Sequence, residues 1–180
     1  VSSLMGFGCI PHNDPNYFGM IGMHGTYAGN MSTTETDLLI GFGVRFDDRV
    51  TGLLDEFAPK AKIIHFDIDA AEINKNVRTH IRVVADLRWS LNTFLEKIKQ
   101  RPSAVWHQQF KPWLNQLKAW KEEKPLVYNK KSPKILPQQV IETISKITKG
   151  DAIIVTDVGQ HQMWTAQFFE FQKPRSFLTS

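Results

Sequence analysis

Gln160 and His161 follow Val158-Gly159 directly and precede Gln162-Met-Trp164. Residues 152–156 read as a strand that passes through Asp157 into this glycine corner, and the pattern predicts a helix from Gln162. Corners of this type point free backbone N–H groups and the positive end of a helix at a bound anion. The two side chains add donors suited to a diphosphate; a structural role for His161 is the competing reading. The corner lies close to the last residue, Ser180, so the rest of such a site is expected on polypeptide beyond it.

Three further clusters carry chemistry. Gly22-Met-His-Gly25 precedes Thr26-Tyr-Ala-Gly-Asn30, a Gly-x-x-Gly before a helix. It either brings backbone close to a phosphate or flat ring or is a simple turn. Gly41-Phe-Gly-Val-Arg-Phe-Asp-Asp-Arg49 puts glycines at the carboxyl end of a strand, where open α/β sheets bind ligands. Arg45 and Arg49 there suit a phosphate or carboxylate fork, with Asp47 and Asp48 orienting them; a surface ion-pair cluster is the alternative. Asp67-Ile-Asp69 ends another strand, where a carboxylate accepts hydrogen bonds from ribose hydroxyls. Asp86 ends the next and reads equally as a ligand group or as a helix N-cap. His24, His65 and His80 stand at unrelated spacings. No metal-ligand spacing, paired acid–base carboxylates or assignable Ser/His/Asp set is visible.

These residues need elements to hold them. The opening residues, Val1-Ser-Ser-Leu-Met-Gly6, resemble a strand already under way, and with no initial Met they favour a fragment. Apolar runs over 37–43, 61–67 and 81–85 read as buried parallel strands. Residues 87–98 read as an amphipathic helix with Trp89, Leu91, Phe94, Leu95 and Ile98 on one face. Strands alternating with helices predict an α/β fold with a parallel, Rossmann-like sheet. Trp106, Phe110, Trp113, Leu117 and Trp120 form one helical stripe, expected to pack against a large apolar surface. Residues 121–137 are rich in Lys, Pro and Ser and read as an exposed linker. A second amphipathic helix is predicted over 136–147, stopped by Gly150. The remainder after the linker is too small to bury a core by itself.

The chain has 180 residues, is 42% hydrophobic and carries a net charge of +4, with much of the basic excess between Lys97 and Lys134. A solvated basic face explains that excess, and nucleic acid is not expected as a partner because no zinc spacing or aromatic-interleaved basic run accompanies it. No apolar run reaches the roughly 20 residues of a membrane span, and no signal peptide is visible. The single cysteine, Cys9, rules out an internal disulfide and suits a reducing compartment.

Taken together, Gly22-Met-His-Gly25, Gly43-Val-Arg-Phe-Asp-Asp-Arg-Val50, Ile64-His-Phe-Asp-Ile-Asp69 and Val158-Gly-Gln-His-Gln-Met-Trp164 resemble the acetohydroxyacid (acetolactate) synthase family of thiamine diphosphate enzymes. The resemblance covers almost the whole chain and is weakest over 99–135. It implies that residues 1–100 are the latter part of a central FAD-binding domain, 101–135 a helix and linker, and 136–180 the start of a second α/β domain that binds thiamine diphosphate. It implies condensation of two 2-oxoacids with loss of carbon dioxide, for valine, leucine and isoleucine synthesis, with thiamine diphosphate as electron sink. FAD and magnesium are the other implied cofactors.

Carried over position by position, the resemblance implies FAD contacts from His24, Gly25, Val44, Arg45, Asp67, Ile68 and Asp86. It implies thiamine diphosphate contacts from Val158, Gly159, Gln160 and His161, and a substrate channel near Met23, Asp48 and Arg49. Asp67 stands where some members carry Glu, which keeps the carboxylate and shortens its reach. The family's catalytic Glu is expected upstream and its magnesium motif after residue 180, so the chain alone is expected to be inactive. A homodimer or homotetramer, a small regulatory subunit and a bacterial cytoplasm, with an organelle as alternative, are the remaining expectations. A sibling thiamine enzyme (glyoxylate carboligase or pyruvate oxidase type), a non-catalytic nucleotide-binding module and a ligand-free structural fragment are the rival readings.

Overall fold

The computed structural model describes residues 1–100 and 103–179; the side chains of residues 103–107 lie outside the description. The elements in order are α1 (Tyr27–Glu35), β1 (Leu38–Phe42), α2 (Asp48–Thr51), β2 (Lys62–Asp67), β3 (Ile81–Val84), α3 (Leu87–Lys99), α4 (Ser103–Glu123), α5 (Pro137–Thr148), β4 (Ile154–Thr156), α6 (Gln160–Phe168) and β5 (Phe177–Thr179). The chain forms two compact units, Met31–Leu117 and Val1–Asn30 with Lys118–Ser180.

In the Met31–Leu117 unit, β1, β2 and β3 form a parallel sheet in that order. Phe42 stands opposite Phe66, and Asp67 opposite Val84. Two more bonds carry the register past the strand ends: Gly43 N–H donates to the Phe66 carbonyl at 2.8 Å and Ala85 N–H to that of Asp67 at 3.0 Å. The carboxyl ends of all three strands therefore lie side by side. One face of the sheet is covered by α3, whose Phe94 packs edge-on against the stacked Phe42 and Phe66. Elsewhere in the unit Phe46, Ala58, Ile63 and Val77 form a buried cluster. The α/β parallel fold read from periodicity is the fold observed.

In the other unit, β4 and β5 pair in parallel, Val155 opposite Leu178. Its core is aromatic: Phe7, Phe169, Phe171 and Phe177 bury together with Met20 and Ala166. Phe7 stacks on Phe171 with ring centroids 5.1 Å apart. The residues before α1 thus complete the core that β4, β5 and α6 cannot build alone.

Several local expectations are corrected. The opening residues are not a strand. Ser2 makes one parallel bridge to Met20, and Leu4–Gly6 then coils into a 3-10 turn; a single bridge is too short a ladder to hold the chain extended. β4 is limited to Ile154–Thr156, and α6 begins at Gln160 rather than Gln162. Of the aromatic stripe on α4, Leu117 is buried, Trp113 and Trp120 are half-buried, and Phe110 is 48% exposed. The side chain of Trp106 lies outside the described residues. Residues 124–136 carry no helix or strand and are exposed apart from a few half-buried positions, so the stretch 121–137 read as a linker is shorter than expected: α4 runs on to Glu123 and α5 starts at Pro137.

Candidate functional site

Gly159 is the pivot of the corner between β4 and α6. Its backbone sits at φ 156° and ψ −168°, a region that essentially only glycine occupies. It is also the N-cap of α6: its carbonyl accepts from Gln162 N–H at 3.1 Å and Met163 N–H at 3.3 Å. With glycine as cap, no side chain satisfies the first turn, and that turn contains no acidic residue. The leading N–H groups of a helix have no intrahelical acceptor, so Gln160 and His161 present theirs at the positive end of the helix. The His161 ring folds back over Gly159; a β-carbon there would come within 3.0 Å of its Cε1. Val158 is exposed, and its N–H is taken by the Asp157 carboxylate at 2.7 Å. Val158, Gly159, Gln160 and His161 are thus contiguous on one exposed corner. Its donors and lack of first-turn carboxylates fit a diphosphate.

The corner has a support not evident in the sequence. Gln162 Nε2 donates to Thr179 Oγ1 at 2.7 Å, and that hydroxyl lies 3.0 Å from Thr156 Oγ1. One polar triad therefore ties the first turn of α6 to the ends of both strands. Gln162 belongs to the motif, but nothing in a one-dimensional pattern pairs it with Thr179.

A second group of site residues gathers at the carboxyl edge of the three-stranded sheet. Val44 and Arg45 follow β1, Asp67 ends β2 with Ile68 beyond it, and Asp86 follows β3. Ile68 is 71% exposed, whereas Asp67 is buried; its Oδ1 accepts from Asp69 N–H at 2.9 Å. Directly behind it on the same strand face, His65 is fully buried, and neither ring nitrogen has a hydrogen-bond partner among the described residues. Asp86 is an N-cap: its Oδ1 accepts from Trp89 N–H at 2.9 Å. That accounts for one oxygen and leaves its ligand role open. Arg45 reaches Asp47 at 3.6 Å with most of its side chain in solvent. Asp47 also caps α2, accepting from Val50 N–H at 3.1 Å. Asp48 and Arg49 are exposed on that short helix. A carboxylate at a parallel sheet's carboxyl edge, with an orphaned imidazole behind it, fits the ribose side of a nucleotide.

In the unit that holds the corner, Gly22-Met-His-Gly25 is a turn closed by Gly25 N–H donating to the Gly22 carbonyl at 2.9 Å. Asn30 braces it: its Nδ2 donates to the Gly22 carbonyl and its Oδ1 accepts from Gly22 N–H. A β-carbon at Gly25 would lie 2.4 Å from the Met20 carbonyl, so glycine there permits a close approach within the chain itself. Met23 is 69% exposed at the tip, and the His24 carbonyl accepts from Gln167 Nε2 at 3.3 Å. His24 is thereby linked to α6, the helix that begins at the corner.

Among the described residues no group of three or more His, Cys, Asp or Glu side chains is arranged to hold a metal ion, and no helix is long and apolar enough to cross a membrane. Similarity to known proteins is extensive. The chain is 45% identical over 99% of its length to acetolactate synthase 1, chloroplastic, of Oryza sativa subsp. japonica, and 44% identical over 99% to the acetolactate synthase large subunit of Buchnera aphidicola subsp. Schizaphis graminum. It is 45% identical over the same share to acetolactate synthase, chloroplastic, of Arabidopsis thaliana. It spans 28%, 31% and 27% of those three curated relatives. Residues 1–97 match the family described as thiamine pyrophosphate enzyme, central domain. A parallel sheet with its site residues along one carboxyl edge, and this match over more than half of the chain, place it in the thiamine pyrophosphate enzyme family.

Proposed function

We propose that the chain is part of the catalytic subunit of an acetolactate synthase, which joins two pyruvates, or pyruvate and 2-oxobutanoate, with loss of carbon dioxide on the route to the branched-chain amino acids. The observation that carries the reading is the glycine-capped start of α6, where Gln160 and His161 stand at an uncapped helix end, in a chain 44–46% identical to acetolactate synthases over 99% of its length. Thiamine diphosphate, when bound, supplies the electron sink that lets a 2-oxoacid lose carbon dioxide.

The chain's own residues do the holding. The α6 N-terminus with Val158, Gly159, Gln160 and His161 takes the diphosphate, and the Gln162–Thr179–Thr156 triad keeps that turn in place. Val44, Arg45, Asp67, Ile68 and Asp86, at the carboxyl edge of the three-stranded sheet, take FAD; the resemblance assigns FAD contacts to His24 and Gly25 as well. Asp48 and Arg49 are assigned to the substrate channel, where the Arg49 guanidinium steers an anionic oxoacid; the resemblance gives Met23 the same role within its own unit. The activating Glu and the magnesium ligands are assigned to the remaining polypeptide, as are the contacts of a homodimer or homotetramer and of any regulatory subunit. The division into central-domain residues 1–100, helix and linker 101–135 and diphosphate-domain residues 136–180 belongs to the same proposal. So does a bacterial cytoplasm, with a plastid as the alternative that the chloroplastic relatives suggest.

The test is made on the full-length protein. With thiamine diphosphate, magnesium and FAD present, pyruvate should yield acetolactate; formation of another product or none sinks the reading in favour of a sibling enzyme. His161→Ala should weaken thiamine diphosphate binding by roughly 1.5–3 kcal/mol, the contribution of one charge-assisted hydrogen bond, measured by calorimetry. Unchanged affinity removes His161 from the diphosphate site.

A further inference from the structure

His65 is a fully buried polar side chain of the Met31–Leu117 unit, and neither ring nitrogen has a hydrogen-bond partner among the described residues. Leaving a buried polar group unpaired is costly, and such groups are rare enough to require an explanation. The ring's surroundings include the Phe46 ring, met edge-on with centroids 5.0 Å apart, so packing alone would favour an apolar residue. Strand alternation sets His65 and Asp67 on the same face of β2. His65 Nε2 lies 3.8 Å from Asp67 Oδ2, and only 11% of the Asp67 side chain is exposed.

That distance exceeds the roughly 2.7–3.2 Å of an N–H···O bond, so less than 1 Å of side-chain movement closes it. The other carboxylate oxygen is already anchored by Asp69 N–H at 2.9 Å. A carboxylate held at one oxygen still turns about that contact, whereas a carboxylate held at both oxygens has a fixed plane. A sugar diol, which meets both oxygens at once, needs the fixed plane. We propose that His65 is a positioning residue for the nucleotide: its Nε2–H closes onto Asp67 Oδ2 when a ribose diol engages that carboxylate. Asp69 and His65 then hold the two oxygens from the protein side and leave the outward lone pairs to the sugar. The inference rests on the FAD reading above and extends it to a residue that does not itself touch the ligand.

The experiment uses full-length protein stripped of flavin and titrated with FAD, following the quenching of flavin fluorescence, with thiamine diphosphate binding measured in parallel. His65→Gln places an amide nitrogen near the Nε2 position, His65→Asn places one near Nδ1, and His65→Leu supplies neither. His65→Gln should stay within about threefold of wild type. His65→Leu and His65→Asn should lose about tenfold or more in FAD affinity, as expected for one hydrogen bond to a charged group, with thiamine diphosphate affinity unchanged. In an Asp67→Ala background, His65→Leu should cause no further loss, because the two residues act as one unit. An undiminished loss in that background, or wild-type affinity in His65→Leu, overturns the proposal. If His65→Leu does not fold, equal affinities for the Gln and Asn variants overturn it. Wild-type protein that takes up no FAD overturns the FAD reading and this proposal together; normal uptake with indifferent His65 variants overturns this one alone.

Discussion

Gly159 and Asp86 show how single residues separate conformation from chemistry. Gly159→Ala meets two obstacles: a backbone region costing about 1–3 kcal/mol for other residues, and a β-carbon 3.0 Å from the His161 ring. The expected outcome is displacement of His161 and weaker thiamine diphosphate binding in the full-length protein, by about tenfold or more, as read by calorimetry; an unchanged constant would mean the corner does not bind the diphosphate. Asp86 can be dissected because its cap is visible. Asp86→Ala should lower stability by about 0.5–2 kcal/mol through loss of the Trp89 N–H bond. Asp86→Asn keeps a capping oxygen and should hold the unfolding midpoint near wild type. If the Asn variant also keeps full FAD affinity, Asp86 is a cap and nothing more.

Among the elements, the segment after α4 is fastened to α5 and α6 through Tyr128. Tyr128 O–H donates to Glu142 on α5 at 2.7 Å, and its ring meets Phe168 of α6 edge-on. Lys130 and Lys146 reach the same carboxylate at 3.0 and 3.2 Å. The Tyr128 hydrogen bond first, then the two ammonium groups, hold the Glu142 carboxyl down at about 2 against an ordinary 4.5. The folded chain therefore binds the proton less readily than the unfolded one. The stabilisation is fully present above the ordinary value and is lost as pH falls from about 4.5 through about 2. The cluster is on the surface, so its contribution is on the order of 1 kcal/mol or less. Urea unfolding of full-length wild type and Glu142→Gln should differ at pH 7 and converge toward pH 2; a gap that widens on acidification would contradict the assignment.

At the scale of the molecule, the residues before α1 are part of a core that otherwise comes from the far end of the chain. Phe7 packs with Phe169, Phe171 and Phe177, and Gly8, at φ 75°, lets the chain pass so close to the Lys173 carbonyl that a β-carbon would stand 1.9 Å from it. Phe171, 1% exposed, should cost about 3–5 kcal/mol when cut to alanine, seen as a lowered denaturant midpoint of the full-length protein. A loss below about 1 kcal/mol would mean that this core is not formed. What the sequence by itself determined follows from short-range rules. Apolar runs at 37–43, 61–67 and 81–85 became three parallel strands; the central one, β2, is the most buried, whereas β3 stays largely exposed at the edge. The 87–98 stripe became α3, and Val158-Gly159 became a corner because only glycine takes that backbone. The candidate residues drew notice for the same reason: they sit where strands end and backbone must turn. Only the tertiary structure decided that Thr179 braces Gln162, that Phe7 completes the core around Phe171, and that His65 lies unpaired behind Asp67. Those contacts join residues distant in sequence or depend on which neighbours surround a buried group, and a pattern along one dimension carries no term for either.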